Sequence, residues 1–151
     1  MVRLTINGKE ITVKEGTFIL EAARQNGIYI PTLCYDEELS IYGGCRLCIV
    51  EIEGSNKLVT SCSTLAKDGM VVYTETEKIN KIRRDILDLL YSNHPNDCLT
   101  CEQAGACGLQ DLCYRYGVKK GTYKGEVKNY AIDSLNPVME RDQNKCILCG
   151  K

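Results

Sequence analysis

The sequence predicts an α+β protein in which a domain of short strands around one helix is followed by a second helix and a small cysteine-rich segment. Three observations carry this. Apolar residues alternate in brief runs over the first 76 residues, and one stretch among those runs has helical spacing. A longer helical stripe follows at residues 77–93. The ten cysteines are not scattered, since seven of them fall into two tightly spaced sets.

The elements follow in order. Leu4 and Ile6 alternate with polar neighbours, and Asn7-Gly8 is a strong two-residue hairpin signal. Ile11-Thr12-Val13 is the returning strand. Thr17 is placed to cap a helix from Phe18 to about Asn26, with Phe18, Ile19, Ala22 and Ala23 apolar. Gly27 occupies the stop position and Ile28 closes over it. Leu47 to Ile52, Leu58 to Thr60 and Met70 to Tyr73 read as further strands. These elements make residues 1–76 one domain.

Residues 77–117 form the second section. Ile79, Ile82, Ile86, Leu89 and Leu90 recur at helical spacing and are expected to face the core. Thr74 with Glu77, or Thr76 alone, is placed to cap this helix. Pro95 favours a stop. A short helix is expected from Leu109 to Tyr116, closed by Gly117. Residues 118–140 are polar and rich in Gly and Tyr, which reads as an extended connector with no anchor at its far end.

Composition narrows the function. Nineteen basic residues balance 20 acidic ones, and no basic tract interleaves with aromatics, so nucleic-acid binding is not expected. No apolar run approaches the length of a transmembrane helix. The first residues alternate like a strand and lack the design of a signal peptide, which points to the cytoplasm. Thiols stay reduced there, so close cysteine pairs suggest metal or redox chemistry before disulfides. No G-x-G-x-x-G fingerprint and no P-loop is present.

The first cysteine set is Cys34, Cys45, Cys48 and Cys62, spaced C-x10-C-x2-C-x13-C. One close pair with two remote partners follows plant-type 2Fe–2S logic, although that class opens with C-x4-C. The longer first gap requires residues 35–44 to fold over the site as a loop. Gly43 and Gly44 let backbone N–H groups approach sulfur with no Cβ in the way. The alternative is zinc, but structural zinc sites prefer two short knuckles and this set has one.

The second set is His94, Cys98, Cys101 and Cys107, spaced H-x3-C-x2-C-x5-C. A lone histidine is commonly no ligand. Three cysteines leave one corner of a 4Fe–4S cubane open, however, and His94 is the nearest remaining donor. Zinc held by three cysteines and a histidine is the alternative here. Cys113 has no partner at ligand spacing and reads as a packing residue.

On these residues the chain resembles a known family region. Residues 1–76, with Cys34, Cys45, Cys48 and Cys62, resemble the 2Fe–2S domain that opens the large iron–sulfur subunit of respiratory NADH dehydrogenase. Multi-cluster iron-only hydrogenases and NAD(P)-linked formate dehydrogenases open in the same way. His94, Cys98, Cys101, Cys107 and the following Gly108-Leu109-Gln110-Asp111 resemble the 4Fe–4S motif of the same families. The resemblance implies a β-grasp, ferredoxin-like fold and assigns both ligand sets to iron clusters. It also implies an electron-transfer module within a larger oxidoreductase, relaying electrons between a flavin or NAD(P)H site and a distant redox site. The implied partners are other subunits of a redox complex, a flavin- or NAD(P)H-binding subunit first among them. The chain itself carries no substrate site in this reading. Its implied place is the cytoplasm, free or peripheral to a membrane complex. The rival class is a zinc-stabilised binding module with no redox role.

Residues 141–151 hold Cys146-Ile147-Leu148-Cys149-Gly150, the opening of a bacterial-ferredoxin run. In the resembling families a two-cluster domain begins here, so the expectation is a chain cut inside a third motif, with Cys146 and Cys149 an incomplete pair. The wording of this stretch leans towards the hydrogenase and formate dehydrogenase chains.

Overall fold

A computed structural model describes all residues, Met1–Lys151. They form two compact units, residues 1–83 with 150–151 and residues 84–149.

The first unit is a five-stranded mixed sheet around one helix. Its strands are β1 (Val2–Ile6), β2 (Lys9–Val13), β3 (Ile49–Ile52), β4 (Val59–Thr60) and β5 (Val71–Tyr73), in the order β2-β1-β5-β3-β4. β1 and β5 pair in parallel and the other neighbours are antiparallel. This is the expected β-grasp arrangement. The β1–β2 turn is built on Asn7 (φ 51°) and Gly8 (φ 80°), both left-handed, as the Asn-Gly signal requires. The alternation of β1 buries Val2, Leu4 and Ile6, and all three join Ile11, Val13, Val50 and Val72 in one core.

Helix α1 (Ile19–Gln25) buries Ile19, Leu20, Ala22 and Ala23 against that core. Its cap differs from the expectation at Thr17. Phe18 is the extended residue at the helix start, and the Phe18 N–H donates to the Glu21 carboxylate at 3.2 Å. Thr17 lies one residue too early and bonds through its backbone to Lys14 and Ala66. The C-terminal end is as read: Gly27 takes φ 72°, and the Ile28 N–H donates back to the Ala23 carbonyl at 2.9 Å.

Helix α2 spans Glu77–Ser92, and its Thr76 hydroxyl accepts from the Ile79 N–H at 3.2 Å. Its buried stripe departs from the expectation. Ile79 and Leu87 are fully buried, Ile82, Ile86 and Leu90 only partly, and Leu89 faces solvent. Arg83 completes the buried row, with no exposed surface. Spacing of four residues selects 79, 83 and 87, and an arginine on that row was read as solvent-facing.

In the second unit α3 (Gly108–Tyr116) buries Leu109, Leu112, Cys113 and Tyr116. Gly117 ends it at φ 72°, and the Val118 N–H reaches the Cys113 carbonyl at 2.8 Å. The connector is tied down rather than loose. Thr122 and Tyr123 donate to Asp88 and Ser92 at 2.8 and 3.1 Å, and Lys128 to Asn93 at 3.3 Å. A small hairpin of β6 (Asp133–Asn136) and β7 (Met139–Arg141) follows. No helix is long and apolar enough to cross a membrane.

Candidate cluster-binding sites

The first unit brings Cys34, Cys45, Cys48 and Cys62 together as two pairs. Cys34 follows α1 after the buried Ile30 and Leu33, Cys45 and Cys48 lead into β3, and Cys62 lies just past β4. The Cys34 and Cys45 sulfurs are 3.3 Å apart, and so are those of Cys48 and Cys62. A disulfide would need about 2.05 Å, and all ten cysteines are free thiols. No group of three or more acidic, histidine or cysteine side chains converges as single-ion coordination would demand. Cys48 and Cys62 belong to the hydrophobic core, whereas Cys45 is partly open.

The turn between the two pairs is held by unusual backbone. Gly43 (φ 64°) and Arg46 (φ 58°) are left-handed, and the Cys45 N–H points at the Cys34 sulfur at 3.4 Å. Gly44 has a different reason from the one expected. A Cβ there would meet the Tyr42 ring at 2.3 Å, so the glycine admits a neighbouring ring. The charges are uneven. The hydrogen bond from Cys62 draws the Cys48 thiol down to about 6, and the same contact pushes Cys62 up. Burial raises Cys45, against backbone amides that favour its thiolate. The arrangement favours one thiolate in the buried pair before any metal is added.

Two side chains that sequence reasoning missed brace Cys48. Ser61, fully buried, donates both its N–H (3.0 Å) and its hydroxyl (2.7 Å) to the Cys48 carbonyl. Arg83 donates from Nε to the Leu47 carbonyl and from Nη2 to the Ile49 carbonyl, each at 2.9 Å. Three successive carbonyls around one cysteine are thereby satisfied by side chains from elsewhere in the unit. A buried polar residue on an otherwise apolar row is the only sequence trace of this.

In the second unit His94, Cys98 and Cys107 line one cavity of about 280 Å³, together with Cys113. Cys101, on the same loop, lies outside that lining. The His94 ring settles its own tautomer. Nδ1 is 2.9 Å from the Pro95 carbonyl, which can only accept, so Nδ1 carries the proton and Nε2 keeps its lone pair. Metal-binding histidines are commonly oriented this way. Cys107 is the N-cap residue of α3, where the positive end of the helix favours a thiolate. The loop is braced by Thr100 N–H to Asp97 carbonyl (2.9 Å) and Gly105 N–H to the Gln110 amide (3.0 Å). Burial pushes the Cys113 thiol up to about 11, in keeping with a packing role.

Cys146 and Cys149 lie beyond a short 3-10 turn (Gln143–Lys145) capped by the Asp142 side chain. The Leu148 N–H faces the Cys146 sulfur at 3.4 Å, and Lys145 bridges to Asp97 at 3.0 Å. Neither cysteine lines the His94 cavity described above.

With this geometry in view, comparison with known proteins is informative. Residues 1–77 match the family described as a 2Fe-2S iron-sulfur cluster binding domain. Residues 83–121 match the region described as the NADH-ubiquinone oxidoreductase-G iron-sulfur binding region. The whole chain is 47% identical to part of the NADPH-Fe(3+) oxidoreductase subunit alpha of Geobacter sulfurreducens, covering 18% of that protein. It is 44% identical to part of the NADP-reducing hydrogenase subunit HndD of Solidesulfovibrio fructosivorans, covering 27%. Among solved structures it resembles a chain of an NAD+-reducing [NiFe]-hydrogenase in the H2-reduced state. The TM-score is 0.92 at 35% identity, over 99% of this chain and 63% of that one. The chain therefore spans about a fifth to a quarter of the length of these curated relatives.

Proposed function

Because the chain belongs to the family of 2Fe-2S iron-sulfur cluster binding domains, we propose that it is the electron-relay section of an NAD(P)H-linked oxidoreductase. In this reading Cys34, Cys45, Cys48 and Cys62 hold a 2Fe–2S cluster. The pairing of sulfurs assigns Cys34 with Cys45 to one iron and Cys48 with Cys62 to the other. His94 through Nε2, with Cys98, Cys101 and Cys107, holds a 4Fe–4S cluster. The single observation that carries the proposal is the two sulfur pairs at 3.3 Å, a two-centre donor set where a lone zinc ion needs one.

Such clusters accept and pass on single electrons without proton chemistry of their own. What this chain's residues contribute is ligation, exclusion of water and electrostatic setting. The core residues around Cys48 and Cys62 keep water from one side of the site. The amide at Cys45 and the start of α3 at Cys107 favour negative charge on sulfur. The neutral His94 imidazole replaces a thiolate, and one negative charge fewer favours the reduced form. The donor and acceptor of the electrons belong to other parts of the assembly, with a flavin- or NAD(P)H-binding subunit as the proposed partner.

Anaerobic purification followed by iron, zinc and acid-labile sulfide analysis tests this. Iron and sulfide in amounts fitting both clusters, with two distinct EPR signals on dithionite reduction, are expected. Stoichiometric zinc without sulfide overturns it.

A further inference from the structure

Arg83 is the one charged side chain in the core of the first unit, and the electron-relay reading gives it nothing to do. Its guanidinium has no exposed surface and spans the carbonyls of Leu47 and Ile49, both at 2.9 Å. The residue between them is Cys48. An arginine stays ionised in proteins, and enclosing its charge is costly unless negative charge or oriented dipoles answer it. Two carbonyl dipoles do so in part. Methionine or leucine would fill the same row beside Ile79 and Leu87 with no such cost.

We propose that Arg83 positions the Cys48 strand and sets the reduction potential of the 2Fe–2S centre. The proposal rests on the assignment of Cys48 as a ligand. Its physics is direct. An oxidised 2Fe–2S centre with four thiolates is an anion, and reduction adds one electron and no proton, deepening that negative charge. A fixed positive charge beside a ligand strand stabilises the reduced state more than the oxidised one. The fork also locks the backbone on both sides of Cys48, while Ser61 holds the carbonyl of Cys48 itself. The sulfur is thus presented from three fixed peptide units. Charge and scaffold are separable, because lysine keeps the first and glutamine keeps much of the second.

The test compares wild type, Arg83→Lys and Arg83→Gln as loaded protein, titrated anaerobically with dithionite and followed by EPR. The 4Fe–4S signal in the same samples shows that each variant is folded and loaded. Arg83→Gln is expected to shift the 2Fe–2S midpoint to lower potential. Arg83→Lys is expected to recover most of that shift while broadening the g-values of the 2Fe–2S signal. Three unchanged midpoints overturn the inference, and so do equal shifts in both variants, which leave only a scaffold role. If glutamine prevents loading, the lysine variant decides, since a midpoint as low as that of cluster-damaged protein refutes the charge argument. Wild-type protein with no 2Fe–2S signal at all refutes instead the ligand assignment beneath the proposal.

Discussion

Replacement of Asn7 separates two contributions to the first unit that the β1–β2 turn combines. Asn7 is exposed, yet its amide makes two hydrogen bonds with Thr74, which is 1% exposed. Nδ2 donates to the Thr74 hydroxyl at 2.7 Å, and Oδ1 accepts from the Thr74 N–H at 2.9 Å. These bonds join the hairpin turn to the chain between β5 and α2. Asn7→Gly keeps the left-handed φ but strands the Thr74 N–H, at about 1–3 kcal/mol. Asn7→Ala adds the left-handed penalty of a Cβ, about 1–2 kcal/mol more. Asn7→Asp keeps the acceptor, tolerates the same φ, and lets the Thr74 hydroxyl turn to donate, so its cost stays below about 1 kcal/mol. The expected stability order is wild type, Asp, Gly, Ala. Anaerobic urea titration followed by far-UV circular dichroism reads it, with the Ala midpoint lower than wild type by about 1 M or more. A Gly variant as stable as wild type would refute the contribution of the Thr74 bonds. An Ala variant equal to Gly would refute the backbone term.

His94→Cys is expected to retain a 4Fe–4S signal and lower its midpoint potential, because thiolate adds negative charge; EPR-monitored titration reads both. Cys113→Ala should leave iron and sulfide content unchanged, and the Cys113 thiol, held up at about 11 by burial, should resist iodoacetamide at pH 8 while the native fold persists. Loss of iron in that variant would make Cys113 a ligand. Ser61→Ala removes one of two donors to the Cys48 carbonyl and leaves the N–H bond at 3.0 Å. A loss near 1 kcal/mol in urea titration is expected, with cluster content intact.

What could be read in the sequence is what local chemistry dictates. Asn7-Gly8 demands two left-handed residues, and Gly27 and Gly117 each occupy the stop of a helix. The alternation of Leu4 and Ile6 settles which face of β1 is buried. The cysteine spacing drew attention to the right eight side chains, and the folded chain pairs four of them and places three around one cavity. What escaped depends on partners distant in sequence. Arg83 is legible as buried only once the carbonyls of Leu47 and Ile49 are known to lie opposite it. The anchors of the connector come from Asp88, Ser92 and Asn93, residues whose polarity looks ordinary on a helix end. The β6–β7 hairpin is exposed along its whole length, so no burial pattern marks it. The Thr17 cap failed by one residue, within the usual uncertainty of a helix boundary.

The unequal cover over the four paired thiols also bears on how a metal centre enters and leaves. Cys48 and Cys62 are sealed into the core, at 1% exposure each. Cys45 borders the loop of residues 36–46, most of which is exposed, including Leu39, Ile41 and Tyr42. A donor scaffold delivering a preassembled cluster therefore meets Cys45 first and Cys34 beside it, with the sealed pair engaged only as the handover completes. Degradation runs the same road backwards: peroxide or a chelator arriving from solvent attacks the Cys34–Cys45 side, and the last iron to leave is the one gripped from within the core.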